Sequence, residues 1–215
     1  MHIDFDTLGA YERYKLMASL IVPRPIALVT SVNAQGVVNA APFSMFNMLG
    51  EDPPILMISV NRLQDGALKD TAANIVASKE FVVHIADEAM AEKMHRCGER
   101  LPPDVSELAV VGLTAVPSSL VAPSRIAEAP VAFECTLWET LETDSRQIFI
   151  GRVRRLHARE GLIDTERWRV HLQDYFPVGR FGASFYVNTR DRYALGGPAA
   201  APVSEAGRQT PIDEI

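Results

Sequence analysis

The sequence predicts a mainly β protein, a β-barrel with helical insertions. Short segments rich in β-branched residues are separated by turn signals typical of antiparallel strands, and only a few helical segments lie between them. Because strands and helices do not alternate regularly, and because no GxGxxG turn follows a strand, a doubly wound parallel sheet is disfavoured. The 47% apolar content of the 215 residues supports a packed core and excludes disorder for the bulk of the chain.

The first elements are a short helix and a hairpin. Thr7 is a candidate N-cap for a helix that runs through Leu20, with prolines beyond it. Residues 26–32, IALVTSV, are typical of a strand, and residues 33–36 contain the polar side chains and the glycine of a turn. The chain continues extended, so Pro42, which cannot donate a ladder hydrogen bond, is expected at a sheet edge or a bulge.

The middle of the chain alternates between strands and a helix. Residues 55–60, ILMISV, are apolar on both faces, which favours a covered central strand. Asp70 or Thr71 is expected to cap a helix that ends near Lys79. Residues 81–86, FVVHIA, predict the following strand.

A further helix and a hairpin complete the predicted barrel. The helix is expected to end at Gly98. Residues 131–141 alternate in polarity and predict a strand, residues 144–145 predict a hairpin turn, and residues 147–156 predict its partner strand. Gly151 is expected to mark a bulge in that partner strand.

Domain organisation and charge limit the classes of function. Residues 1–195 are expected to form a single domain that includes the N-terminal helix, and residues 196–215 an extended arm or a flexible tail. The net charge of −6 argues against binding to nucleic acid or to an anionic membrane. No segment predicts a membrane span or a secretory signal, and the two cysteines form no CxxC pair, so a cytoplasmic location is expected.

Metal and acid–base centres have no signature in the sequence. The five histidines form no HxH or HExxH arrangement, so no metal site is expected. There is no GxSxG nucleophile elbow, and His84, alone in a predicted strand, is expected to be structural. No catalytic residue is therefore assigned.

Two segments have the composition expected around a flat, phosphorylated ligand. The first ends in Thr30 and Ser31, where hydroxyls and free backbone N–H groups suit phosphate or ribityl oxygens. The second contains Ser44 and Asn47 among small and aromatic side chains, which suits the faces and the edge of a heteroaromatic ring.

A third segment has Lys69 immediately before the predicted helix start. The unpaired N–H groups and partial positive charge of a helix N-terminus, together with the Lys69 ammonium, suit a phosphate, and Arg62 in the preceding loop can assist. Taken singly, the three segments also fit an ordinary strand end, a bulged strand and a capped surface helix. Their order along the chain favours the ligand site.

The run of segments PRPIALVTSV, NAAPFSMFN, DPPILMISV, KDTAANI and FVVHIA resembles the flavin reductase-like family of FMN-binding split-barrel proteins. The resemblance covers about residues 20–185 and is to the longer branch, with flavoredoxin-type and NAD(P)H:flavin oxidoreductase-type members. The segment PVGRFGASFY resembles that branch's Arg-Leu-Gly-Gly-x-x-Tyr element, with Phe181 and Ala183 in place of the leucine and the second glycine. The implied fold is an antiparallel, Greek-key split β-barrel with helical insertions.

The resemblance also implies a function, which is an FMN-binding flavin reductase-type oxidoreductase, with FAD as an alternative flavin. Such an enzyme transfers hydride from NAD(P)H to flavin and passes electrons or reduced flavin to an acceptor such as a partner monooxygenase. By position, the implied flavin contacts are Thr30, Ser31, Val32, Ala41, Pro42, Phe43, Ser44 and Asn47, and the implied phosphate or ribityl contacts are Lys69, Asp70 and Thr71. A homodimer with the flavin near the subunit interface is also implied.

The chain departs from the family pattern at one place. Many shorter members have a Gly-Asp-His triplet whose histidine is linked to the nicotinamide, and these positions hold Asp144, Ser145 and Arg146 here. Arg146 can meet a dinucleotide phosphate but cannot replace the histidine, so FMN is supported more directly than NAD(P)H. Three alternatives stay open: an FMN-bound electron carrier or flavoenzyme without nicotinamide chemistry, a non-enzymatic ligand-binding barrel, and a split-barrel oxidase of the pyridoxamine-phosphate kind.

Overall fold

The computed structural model describes residues 1–193 and 195, so the predicted arm, residues 196–215, lies outside the described residues. Within them the α-helices are α1 (Ala10–Leu20), α2 (Asp70–Ser78), α3 (Ala91–Arg96) and α4 (Glu107–Val111). Short 3-10 helices span Phe5–Thr7, Glu88–Met90 and Leu172–Asp174. None of the helices in this part of the chain is long and apolar enough to cross a membrane.

The strands of the described residues form one large sheet and three small ones. They are β1 (Arg24–Pro25), β2 (Ala27–Val32), β3 (Val38–Phe43), β4 (Phe46–Glu51), β5 (Pro54–Asn61), β6 (Glu80–Ile85), β7 (Ala115–Val116), β8 (Arg125–Ile126), β9 (Val131–Glu142), β10 (Arg146–Ala158), β11 (Ile163–Asp164), β12 (Arg169–Val170), β13 (Gly179–Arg180) and β14 (Tyr186–Val187).

The large sheet is antiparallel throughout, with the strand order β3-β2-β6-β9-β10-β5-β4. Its edge strands β3 and β4 are consecutive in the chain and are joined only by Ser44 and Met45. Because so short a link spans roughly 11 Å at most, the sheet must curl until its edges approach each other. In the described residues no ladder joins β3 to β4, so the barrel is split at this point. The predicted antiparallel split barrel with helical insertions is confirmed.

Several local predictions are also confirmed. Pro42 lies on the edge strand β3, where its missing N–H costs no ladder hydrogen bond. Gly36 has a φ of 81° in the predicted turn between β2 and β3. The register of β10 shifts at Gly151, as expected for a bulge, and a Cβ at this position would overlap the ring of Phe81.

The predicted helix caps at Thr7, Asp70 and Thr71 are wrong. Thr7 ends a 3-10 helix, and α1 begins after Gly9, whose N–H donates to the Glu12 carboxylate at 2.8 Å. Helix α2 has Lys69 as its N-cap residue, with no side-chain cap hydrogen bond. Asp70 therefore lies in the first turn of α2, where its negative charge interacts favourably with the helix dipole although its side chain makes no capping hydrogen bond.

The core occupies both faces of β2, which explains the uninterrupted apolar run in its sequence. Ala27 and Val29 pack inside the barrel with residues of β5, β6 and α2, whereas Ile26 and Leu28 pack on the other face against α3 and α4. The edge strand β3 is consequently flanked by helices, with the N-terminus of α2 and the chain after α3 beside it.

The outer face of β9 is covered by residues 117–124, which we call the strap. The backbone N–H groups of Ser119 and Leu120 in the strap donate to the Glu134 carboxylate at 2.8 and 2.6 Å. His157 Nε2 lies 2.5 Å from Glu134 Oε1, and the Glu134 side chain is fully buried. Burial alone would raise the pKa of Glu134, but these hydrogen bonds together lower it.

Candidate functional site

A cavity of about 680 Å³ lies beside the edge strand β3. One wall is β3, another is the start of α2, and the third is the chain that follows α3. The residues that line it are Asn39, Ala41, Pro42, Phe43, Leu63, Lys69, Asp70, Thr71, Cys97, Gly98, Glu99, Arg100, Leu101, Pro102, Pro103 and Glu107. We call it the first cavity. Its size suits a cofactor or another small molecule.

The apolar wall of the first cavity is formed by Ala41, Pro42 and Phe43 on β3. Gly98, at the end of α3, lies against this wall, and a Cβ there would be 3.4 Å from Pro42 Cγ and 3.1 Å from the His95 carbonyl oxygen. The absent side chain therefore lets the chain after α3 approach β3 closely.

The polar end of the first cavity is the N-terminus of α2. The first intrahelical acceptor is the Lys69 carbonyl, which receives the N–H of Ala73, so the preceding N–H groups have no partner within the helix. In the described chain the Lys69 ammonium makes no hydrogen bond or ion pair. Burial lowers the pKa of Lys69, and the nearby charges of Arg146 and Arg100 lower it further. The α2 N-terminus thus has the Lys69 ammonium with two arginines nearby, and the carboxylates that line the same cavity, those of Asp70, Glu99 and Glu107, form no ion pair with Lys69.

Two further polar side chains are held in place at this end. Asn39 Nδ2 donates to Thr71 Oγ1 at 2.9 Å, which fixes the hydroxyl and leaves its proton free to donate. Glu107 Oε2 accepts the N–H of Ala40 at 2.8 Å, so this carboxylate satisfies an edge-strand donor. Burial raises the pKa of Glu107, and that hydrogen bond partly opposes the shift. The first cavity therefore has both donors for an anion and an acceptor at its rim.

The structure brings together the predicted residues of two separate segments. Ala41, Pro42 and Phe43 of β3 and Lys69, Asp70 and Thr71 of α2 line the first cavity.

The remaining predicted contacts lie elsewhere. Thr30 and Ser31 are buried: Thr30 Oγ1 donates to the Ser124 carbonyl at 2.6 Å, and Ser31 Oγ accepts from Asn74 Nδ2 at 3.1 Å. Val32 ends β2, and Asn47 Oδ1 accepts the N–H of Met48. Arg62 is ion-paired with Glu142 at 3.4 Å. None of these five lines the first cavity.

Ser44 lines a second cavity, of about 530 Å³, on the other side of Pro42. This cavity lies between α1, the β1 region and the small sheet formed by β1, β13 and β14. Its lining residues are Tyr11, Tyr14, Lys15, Ala18, Ser19, Arg24, Ile26, Pro42, Ser44, Arg180, Ala183 and Tyr186. Pro42 lines both cavities, so a ligand in one lies next to a ligand in the other.

Arg146, at the position that departs from the family pattern, lines neither cavity but is close to one residue of each. Its guanidinium carbon is 5.9 Å from the ring centroid of Tyr14, and its Nη1 donates to the Ser59 carbonyl at 3.4 Å. Burial lowers the pKa of Arg146. Its charge reaches Lys69 on one side and an aromatic ring of the second cavity on the other.

Residues missed from the sequence come mainly from non-local contacts. Asn39 is the first residue of the predicted segment NAAPFSMFN and could have been found as its first polar side chain. Arg100 and Glu107 lie in a loop-rich stretch with no local signal, and only the fold brings them to the first cavity. His84, predicted as structural, has Nδ1 2.9 Å from the Leu28 carbonyl and accepts the Ile126 N–H through Nε2 at 3.0 Å.

Comparison with known proteins identifies the family. The model of the flavin reductase like domain matches residues 17–176. A solved structure of 2-nitrobenzoate 2-nitroreductase NbaA from Pseudomonas fluorescens is 38% identical, with a TM-score of 0.83 over 95% of this chain and 100% of that one. Nitrilotriacetate monooxygenase component B from Bacillus cereus is 34% identical, with a TM-score of 0.85 over 91% and 98%.

A more distant structure bears on the fold alone. A split barrel domain protein from Shewanella frigidimarina NCIMB 400 is 20% identical, with a TM-score of 0.75 over 93% of this chain and 100% of that one. Three observations support the same family: the antiparallel barrel, the split between β3 and β4, and the match of the family model over most of the chain. The chain belongs to the flavin reductase-like family.

Proposed function

We propose that this chain is an NAD(P)H:flavin oxidoreductase-like flavoprotein that binds FMN in the first cavity. The observation that carries the proposal is the meeting of two predicted segments in one cavity, with the apolar wall of β3 facing the cationic N-terminus of α2. In a chain of net charge −6, a half-buried lysine without an ion pair, near two arginines, is typical of an anion site.

The residues present fit a flavin mononucleotide. Lys69, the free N–H groups at the start of α2 and the Thr71 hydroxyl suit the phosphate, and Arg100 adds a further charge. Ala41, Pro42 and Phe43 offer apolar surface to the ring, with Ser44 beyond them toward the second cavity. The single anion site of the first cavity favours FMN, with one phosphate, over FAD.

The protein's part in the reaction is to bind and orient. A bound flavin supplies the capacity to accept a hydride from a nicotinamide and to pass electrons onward. The α2 N-terminus would hold the phosphate, and the β3 wall would exclude water from one side of the ring. Hydride transfer to a flavin requires no protein acid or base, which is consistent with the absence of an assigned catalytic residue.

The donor and the acceptor are part of the proposal. NAD(P)H is supported by family membership, and Arg146, over the ring of Tyr14, is the candidate contact for a dinucleotide phosphate. The likeness to a monooxygenase component B and to a nitroreductase supports transfer of electrons to a partner monooxygenase or to a small organic acceptor. A cytoplasmic location stays a prediction from the sequence.

We further propose that the chain forms a homodimer. Helix α1 has no buried residue, and its side chains include Tyr11 at 70% and Leu20 at 75% exposure. Exposed apolar side chains on more than one side of a helix are typical of a protein interface. Light scattering coupled to gel filtration should give a mass near twice 23.6 kDa, and a monomer would contradict this proposal.

The function is tested by the spectrum and the reduction of the purified protein. With FMN added, the protein should bind flavin saturably, and anaerobic NADH or NADPH should bleach the flavin absorbance. A protein that binds FMN but oxidises neither dinucleotide would be an electron carrier or an enzyme of other chemistry. A protein that neither binds FMN nor is stabilised by it would be a non-enzymatic barrel.

A further inference from the structure

The second cavity has cations that no carboxylate neutralises. Among the described residues that line it, Lys15, Arg24 and Arg180 are positively charged and none is an aspartate or glutamate. None of these three cations forms an ion pair in the described chain. Five arginines elsewhere in the described chain do form ion pairs with carboxylates, namely Arg62, Arg96, Arg125, Arg159 and Arg190.

Arg24 is held so that part of its guanidinium stays free. Its Nη1 donates to the carbonyl oxygens of Ala18 and Ile21 at the end of α1, and its Nε donates to Ser44 Oγ at 3.3 Å. Its Nη2 has no partner in the described residues. Burial lowers the pKa of Arg24, and the charge of Arg180 lowers it further, while Tyr14 opposes these effects. An anion between the two guanidinium groups would relieve this repulsion.

Arg180 is likewise fixed in direction. Its Nη2 donates to the Ala183 carbonyl, and its guanidinium carbon lies 4.7 Å from the ring centroid of Tyr186. Ala183 has a φ of 48°, the left-handed conformation that glycine adopts more easily, at the place where the family pattern has its second glycine. Arg180 is thus presented to the cavity by a turn and by a stacked ring.

The rest of the lining is aromatic and apolar. Tyr11 and Tyr14 on α1 stack with centroids 6.4 Å apart, and Tyr186 faces them from the C-terminal sheet. Ile26 and Pro42 add apolar surface. A cavity of about 530 Å³ with aromatic walls and adjacent guanidinium groups matches a flat ring that carries a carboxylate.

We propose that the second cavity is a binding site for a small aromatic carboxylate, held by Arg24 and Arg180 and flanked by the tyrosines. The site goes beyond the proposed flavin function, because its cations and rings are present in the chain without any flavin. Since Pro42 lines both cavities, a molecule bound here lies next to the occupant of the first cavity, as a substrate or an effector of a flavoprotein would.

Calorimetric titration of the full chain with benzoate tests the site, with and without added FMN. Benzoate should bind saturably, and benzamide, which has the ring without the charge, should bind at least about tenfold more weakly. Cyclohexanecarboxylate, which has the charge without the aromatic ring, should also bind more weakly. Equal binding of benzoate and benzamide, or no saturable binding of benzoate, would overturn the proposal.

The matched variants are Arg180→Gln and Arg190→Gln. Both remove one positive charge from an arginine stacked on an aromatic ring, but Arg190 is paired with Glu88 and lies over Phe176, outside the cavity. Arg180→Gln should weaken benzoate binding about tenfold and Arg190→Gln less than twofold. Similar losses in both variants would show a general charge effect and reject the site.

A second variant and two other ligands, NADH and NADPH, test whether a loss of benzoate binding comes from misfolding and whether the cavity binds a different ligand. Lys15→Gln, on the exposed helix α1, should also weaken benzoate, and unchanged FMN affinity verifies the fold of each variant. If NADH or NADPH binds with the same dependence on Arg180 while benzoate does not bind, the cavity belongs to the dinucleotide and the proposal is wrong. A failure of FMN to bind would reject the proposed function but leave the benzoate result in the flavin-free chain intact.

Discussion

The buried centre around Glu134 and the cationic end of the first cavity are polar sites that differ in whether the protein itself provides partners for the charge. At Glu134 the carboxylate receives two strap N–H groups and His157, so its charge is fully compensated inside the protein. At the first cavity the Lys69 ammonium has no partner in the described residues, and two arginines raise the local positive charge. A compensated buried charge holds the fold together, whereas a charge beside a cavity that has no partner in the protein is available to a ligand.

The largest expected effect is at the compensated centre. Glu134→Ala leaves the N–H groups of Ser119 and Leu120 and the His157 ring without their acceptor, and should lower the free energy of unfolding by about 3 kcal/mol. Glu139→Ala, on the exposed face of the same strand, is the matched control and should change stability by less than about 0.5 kcal/mol. Denaturant unfolding measures both. Equal stability of the two variants would show that the strap is not held by Glu134.

A second stability prediction concerns His84, which is also compensated. Burial lowers the pKa of His84 to about 4 from an ordinary 6.5, although its hydrogen bond to the Leu28 carbonyl opposes the shift. Between pH 6.5 and 4 the unfolded chain therefore binds a proton that the folded chain does not, so this residue's contribution to stability is complete above pH 6.5 and is lost as the pH falls. The total loss should reach about 3 kcal/mol near pH 4.

The measurement for His84 is the pH dependence of unfolding in urea. His84→Gln should lower stability at neutral pH and should flatten the slope between pH 4 and 6.5, since glutamine does not titrate. His171→Gln, at an exposed histidine, is the control and should keep the slope of the parent protein. A slope that is unchanged in His84→Gln would assign the acid sensitivity to another group.

The sequence predicts the elements of this fold better than it predicts these polar centres. The alternation of residues 131–141, the edge position of Pro42 and the bulge at Gly151 are local signals, and each corresponds to what the structure has. Glu134 lies on the polar face of that alternation, but it is buried because the strap, which precedes β9 in the chain, folds over it. The local polarity pattern of a strand cannot predict that another segment will bury one of its polar residues.

The same limit applies to the first cavity. The residues of β3 and α2 were predicted because they lie in short, recognisable segments. Arg100 and Glu107 reach the cavity from a proline-rich stretch without periodicity, so only the packing of α4 on β3 brings them there. The two hydroxyls predicted at the end of β2 are directed into the protein by hydrogen bonds to Ser124 and Asn74.

A smaller effect, on binding instead of stability, is expected at the uncompensated site. Lys69→Ala should weaken FMN binding about tenfold, or about 1.4 kcal/mol, and this loss should shrink at high salt. The variant should fold at least as stably as the parent protein, because it removes a half-buried cation that has no ion pair and whose pKa is lowered by burial. Fluorescence titration of FMN at low and high salt measures the affinity.

The control for Lys69 is Arg155→Ala, which removes one positive charge from the exposed face of β10. It should leave FMN affinity within about twofold of the parent value. Full retention of FMN affinity in Lys69→Ala would place the phosphate somewhere other than the N-terminus of α2.

The smallest expected effect on FMN binding is at Arg146. Its variant tests whether the proposed phosphate site at Lys69 is distinct from the contact near Tyr14. Arg146 does not line the first cavity, so its charge acts on a ligand phosphate over a longer and more screened path than that of Lys69. Arg146→Gln should therefore weaken FMN binding by only about threefold, or about 0.6 kcal/mol. The KM for the reducing dinucleotide should rise more than this, because Arg146 lies over the ring of Tyr14, which lines the second cavity. Arg155→Gln on the same strand serves as the reference in fluorescence titration and in steady-state kinetics. If Arg146→Gln weakens FMN binding as strongly as Lys69→Ala, both cations contact the same FMN phosphate. Arg146 would then not be a separate contact for the dinucleotide.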